Sequence, residues 1–107
     1  MENTESESFP ITVTARHMKL TDAIREYAEK KVSGLHFGYP RIVEAKVIVD
    51  TSPHGHVAEI IIFGTNHVTI EADTEHKDLY AAIDLTMEKV ERQMRKEKTR
   101  MQKRHGH

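Results

Sequence analysis

The side chains best suited to chemistry lie in the last fifth of the chain. Lys89, Arg92, Lys96, Arg100 and Lys103 follow one another at steps of three, four, four and three. At about 100° per residue, those steps put all five cations within about 80° of arc on one helix face. About 14 residues at ~1.5 Å each make this ridge about 20 Å long. Glu88, Glu91 and Glu97 fall off it. Like charges at i,i+4 destabilise a helix by about 0.2–0.5 kcal/mol per pair, and a solvated face normally mixes signs to avoid that cost. A row of cations about 5–6 Å apart suits a row of phosphates, and binding would release condensed counterions. The competing reading is a charged helix end that only keeps the protein soluble.

Other constellations say less. His54 and His56 bracket a turn, and His67 and His76 lie near others, so imidazoles offer a second chemistry: metal or partner binding. No i,i+4 histidine pair stands on a helix, and polar surface residues are the simpler reading. The alternative function is thus a histidine-dependent metal-responsive or protein-interaction module. There is no nucleophile elbow, phosphate-binding loop, zinc-protease helix or dinucleotide fingerprint, and no enzyme or cofactor is expected. Asp73, Glu75, Asp78 and Asp84 bracket the start of the last helix and read as complements to its macrodipole. Cysteine is absent, which removes disulfides and thiolate chemistry and suits a reducing cytoplasm.

The chain has 107 residues and a formal charge of −1. That near-neutral total conceals a polarised molecule: residues 88–107 carry +5 and residues 1–87 carry −6. The longest apolar run, Ile60 to Phe63, has four residues, too few for a membrane span. Residues 1–8 are polar and acidic, unlike a signal peptide, and read as a disordered arm. Residues 9–104 read as one domain and 105–107 as a frayed tail.

The elements that must carry the ridge follow from hydrophobic period. Phe9 to Arg16 alternates as a half-buried strand. Thr21 and Asp22 open a helix in which Leu20, Ala23, Ile24, Tyr27, Ala28, Val32 and Leu35 recur at helical spacing. Ser33-Gly34 closes it as a C-cap. After a loop at 36–40, strands are expected at 41–51, 56–63 and 67–73, joined by short turns that imply antiparallel hairpins. The last helix is expected from about Lys77 to Gln102. Its core stripe is Tyr80, Ile83, Met87, Val90, Met94 and Met101, opposite the ridge. The expected fold class is α+β, in the order β-α-β-β-β-α, with both helices on one face of a four-stranded sheet. The first helix adds Arg25 and Lys31, which would widen the basic patch if the helices lie side by side.

Three segments carry a resemblance. They are Leu20-Thr21-Asp22-Ala23-Ile24-Arg25-Glu26-Tyr27 with Lys31 and Leu35, then His56-Val57-Ala58-Glu59-Ile60, and Asp78-Leu79-Tyr80-Ala81-Ala82-Ile83-Asp84 running on to Lys89-Val90-Glu91-Arg92-Gln93-Met94-Arg95-Lys96. Over residues 9–104 the chain resembles the ribosome hibernation-promoting factors, a family that includes the protein Y type and is also known as the sigma-54 modulation proteins. The resemblance implies a domain similar to a double-stranded-RNA-binding domain. It implies a cytoplasmic, non-enzymatic protein that occupies the mRNA and tRNA channel of the small ribosomal subunit and preserves idle ribosomes under stress or in stationary phase. It implies RNA contacts from Arg25 and Lys31 on the first helix and from Lys89, Arg92 and Lys96 on the second. The ridge found from periodicity adds Arg100 and Lys103. A chain stopping at His107 looks like the short form, for which ribosome pairing would need a separate dimerising factor.

Overall fold

The computed structural model describes residues 8–35 and 41–104, with side chains up to residue 102. Residues 1–7 of the arm expected at 1–8, the loop at 36–40, the tail at 105–107 and the Lys103 side chain lie outside the described residues. The elements are β1 (Ile11–Arg16), α1 (Asp22–Ser33), β2 (Ile42–Ser52), β3 (Gly55–Gly64), β4 (Thr69–His76) and α2 (Leu79–Arg104). The strands form one sheet in the order β1-β2-β3-β4. β1 runs parallel to β2 because α1 carries the chain back across the sheet, and the two hairpins are antiparallel. The expected architecture is present.

Local chemistry sets the boundaries. The Thr21 hydroxyl accepts from the Ile24 N–H at 3.1 Å, capping α1. Gly34 caps the other end in a right-handed conformation, φ −81°, with its N–H on the Lys31 and Val32 carbonyls, so the left-handed closure that glycine usually supplies is not used. Gly55 does need to be glycine: its φ is +136°, and a Cβ there would stand 2.6 Å from the His76 carbonyl oxygen. The β3–β4 turn puts Asn66 and His67 at φ 59° and 62°, the left-handed pair that a tight hairpin favours.

The core lies between the helices and one sheet face. Ala45, Val47 and Val49 of β2 and Ala58, Ile60 and Ile62 of β3 are buried under Ile24, Ala28 and Val32 of α1 and Ile83, Val90 and Met94 of α2. α2 packs chiefly on β4 and β3, and α1 on β1. The inward face of α2 is turned from the expected stripe. Leu79, Ala82 and Thr86 are buried, whereas Tyr80 is 36% exposed. The small residues are the reason: Ala82 and Thr86 let the helix close on β3, where the Thr86 hydroxyl reaches the Ala58 carbonyl at 3.1 Å and the Ala82 carbonyl at 2.7 Å. Met87 and Met94 fill the core and Met101 is half-buried. The acids before α2 also divide. Asp78 accepts from the Tyr80 N–H at 3.1 Å. No acid falls in the first turn itself, and Asp73 and Glu75 sit exposed on β4.

Candidate nucleic-acid interface

α2 has 26 residues, about 39 Å of helix, and its cations stand outside the buried face, with Lys89 at the margin next to β4. Lys89, Arg92, Lys96 and Arg100 are all exposed. The cationic strip deduced from spacing is therefore a surface feature, and its members differ in what they already hold.

Arg92 and Lys96 stand one turn apart and, among the described residues, neither touches a carboxylate or a carbonyl. Arg95 is in the same condition. Glu91, four residues before it, suggests an i,i+4 pair that does not form among the described residues. With Thr99 and Arg100, these three line one shallow depression along the helix. Spacing along the ridge overlooks Arg95 as a site residue because it lies about 60° round from Arg92, on the flank toward α1.

Lys89 is anchored. Its ammonium donates to the Asp73 carbonyl at 2.6 Å, and one turn on Gln93 Nε2 donates to the Glu71 carbonyl at 3.1 Å. Both carbonyls belong to β4, the last strand of the sheet. Unpaired edge groups invite another strand, and side chains that occupy them close the edge. Lys89 thus has a structural bond as well as an exposed charge. Arg100 is paired with Glu97 at 3.3 Å, so this acid, although off the ridge, still reaches it.

The first-helix cations lie on different sides. Lys31 faces α2, where its ammonium meets Asp84 at 3.4 Å and lies 5.5 Å over the Tyr27 ring. The Tyr27 hydroxyl donates to the same carboxylate at 2.7 Å, and the Tyr27 and Tyr80 rings meet edge to face at 4.9 Å. This clasp fixes α1 against α2. The Asp84 charge raises the Lys31 pKa, and the Tyr27 pKa is raised chiefly by its hydrogen bond to Asp84 and then by burial. Arg25 follows the core residue Ile24 by about 100°, on the flank opposite Tyr27, and pairs with Asp22 at 3.1 Å. The structure therefore brings Lys89, Arg92, Lys96 and Arg100 onto one strip, sets Lys31 beside α2, and leaves Arg25 on the outer side of α1.

The histidines do not converge on a metal cage: among the described residues no cluster of three or more His, Asp or Glu has metal-binding geometry. His17 pairs with Asp50 at 3.0 Å. No helix among the described residues is long and apolar enough to cross a membrane.

Residues 11–102, which span β1 through most of α2, match the sequence pattern described as sigma 54 modulation protein / S30EA ribosomal protein. The chain belongs to this family. It is 35% identical over 91 residues to the ribosome hibernation promoting factor of Azotobacter vinelandii, covering 82% of this chain and 81% of that protein. It is 34% identical over 91 residues to the ribosome hibernation promotion factor of Lactococcus lactis, covering 83% of this chain and 49% of that relative, so here it spans about half the relative's length. Among solved structures, a ribosomal subunit interface protein from Coxiella burnetii superposes with a TM-score of 0.77 at 27% identity, covering 84% of this chain and 98% of that one. The N-terminal domain of Thermus thermophilus protein Y gives 0.71 at 31% identity, covering 79% and 93%.

Proposed function

We propose that this chain is a ribosome hibernation factor that binds the small subunit in the channel for mRNA and tRNA, blocks translation and preserves idle ribosomes under stress or in stationary phase. It acts in the cytoplasm and catalyses no reaction. The observation that carries this reading is the pair Arg92 and Lys96: exposed, one turn apart and unpartnered among the described residues, on a helix whose other side is core. A helical ridge of this kind lies along an RNA backbone through phosphates and groove shape with little base readout. Lys89, Arg100 and Lys103 extend the strip, and Lys31 and Arg25 supply contacts from α1. The relatives named for ribosome hibernation support the partner.

Sedimentation with ribosomes and separated subunits tests it. The protein should travel with small subunits at low salt and leave them at high salt. Arg92→Glu with Lys96→Glu should remain in the supernatant at a melting temperature within a few degrees of the parent. Association that survives this reversal, or that ignores salt, overturns the reading. Lys89 is left out of the variant because its bond to β4 would confound stability with binding.

A further inference from the structure

The sheet face that carries no helix has a composition the ridge does not explain. Cross-strand register sets Ile48 beside Glu59 and Asp73, and Lys46 beside Ile61 and Glu71. Ile48, Ile61 and Phe63 are half-buried there with no helix above them. A solvated sheet face normally alternates to polar residues, and an apolar strip rimmed by polar groups marks a contact surface. Charge marks it too. Six acids on this face stand against two cations, Arg16 and Lys46. Lys46 lies 5.5 Å over the Phe63 ring. Four of the acids, Glu59, Glu71, Asp73 and Glu75, crowd the β3–β4 half. Glu59 stands directly across from Asp73 and diagonal to Glu71; hydrogen bonding to Glu71, then burial, raises its pKa, and the Arg16 charge lowers it.

We propose that this open sheet face docks a cationic polypeptide segment, with its Lys or Arg side chains on the β4 carboxylates and an apolar side chain on the Ile48–Ile61–Phe63 strip. The inference rests on the ribosome reading: with the ridge on RNA, the open sheet face is left free for a protein partner. The same negative charge that attracts such a segment repels a phosphate backbone. Glu71, Asp73 and Glu75 project about 7 Å apart, the spacing of alternate residues in an extended chain. The partner lies across the face and does not add a strand at the rim, because Lys89 and Gln93 already hold the outward Asp73 and Glu71 carbonyls.

The test compares intact small subunits with protein-free rRNA extracted from them. Glu71→Lys, Asp73→Lys and Glu75→Lys together should bind the protein-free rRNA severalfold tighter and the intact subunits at least tenfold more weakly. Tighter binding to both overturns the proposal. A milder set, Glu71→Gln, Asp73→Asn and Glu75→Gln, guards against unfolding. It should keep the melting temperature and still lose threefold or more on intact subunits; no loss overturns the proposal. A photo-reactive phenylalanine in place of Ile61 should cross-link to a basic segment of a ribosomal protein, whereas cross-links to rRNA alone or to a second copy overturn it. Failure of the parent protein to bind subunits removes the ribosome reading and this inference together. Binding by the parent with the acidic-face variants unaffected removes this inference alone.

Discussion

Replacing Arg92 and Lys96 together by Ala isolates the electrostatic contribution of the unpartnered cations. Neither side chain has a partner among the described residues, so neither has an internal bond to lose and the full charge of each is available to phosphate. Each phosphate contact contributes about 0.7–0.9 to the slope of log affinity against log salt. Removing two should flatten the slope by about 1.4–1.8. Between 50 and 200 mM salt, a fourfold change, the affinity deficit of the double variant should therefore shrink by about 7- to 12-fold. Filter binding or fluorescence anisotropy on small subunits across that range reads the slope directly. Thermal melting should show little change, because surface substitutions away from packed features move stability by about 0.5 kcal/mol or less. An unchanged slope with intact folding would mean that these cations do not meet phosphates, and the case for the ridge would fail with it.

Four other perturbations separate structural from recognition roles. Lys89→Met keeps the aliphatic stem but loses the bond to the Asp73 carbonyl, so it should lower stability by about 0.5–1.5 kcal/mol in urea titration and also flatten the salt slope; loss of affinity with unchanged stability would deny the edge-closing role. Gly55→Ala forces a Cβ against the His76 carbonyl at a positive φ, and should cost about 1–3 kcal/mol, read as a lower urea midpoint. Asp84→Asn removes the charge that the Tyr27 hydroxyl and the Lys31 ammonium share, so both pKa values should fall toward their ordinary values in an NMR titration; a Tyr27 that titrates as before would place its perturbation elsewhere. Glu59→Gln should stabilise the protein at neutral pH by about 0.2–1 kcal/mol, the range for like charges across strands. The Glu71 hydrogen bond, then burial, raise the Glu59 pKa in the folded state. The ionised form therefore costs stability as pH rises from the unfolded pKa through the folded one. The advantage of the Gln variant should accordingly vanish in acid; an advantage that persists there would assign it to packing.

Much of this architecture is local and so is legible in the residues. Thr21 caps its own helix three residues on. Alternation in β2 and β3 marks which side chains enter the core. The 3–4–4–3 spacing of cations is a property of one helix and needs no partner to be read. What cannot be read depends on residues far apart in the chain. Lys31 and Asp84 are 53 positions apart, and only the packing of α1 beside α2 turns an apparently solvated lysine into half of an ion pair. The bond from Lys89 to Asp73 requires knowing that β4 ends the sheet and that α2 lies over it. Hydrophobicity alone places Tyr80 inside, yet Ala82 and Thr86, weak signals on any apolar scale, take the inner face because they permit closer approach to β3.

The division among cations bears on how such a surface can be both sticky and selective. An unpartnered cation gains its full counterion-release term from any phosphate, whatever the RNA shape. A paired cation gains only the difference between a phosphate and the carboxylate it must leave. Lys31 would have to give up Asp84, and Arg100 would have to give up Glu97. In the proposed RNA-bound pose that exchange would be favourable only where a phosphate arrives in the right place, so these residues would add little to nonspecific adhesion and more to discrimination. Arg92, Arg95 and Lys96 would then supply attraction along the strip, while the clasp around Asp84 would report whether the RNA fits the angle between the two helices. The acidic sheet face would sharpen the same distinction, since its charge would penalise any RNA-bound pose in which the molecule is turned over.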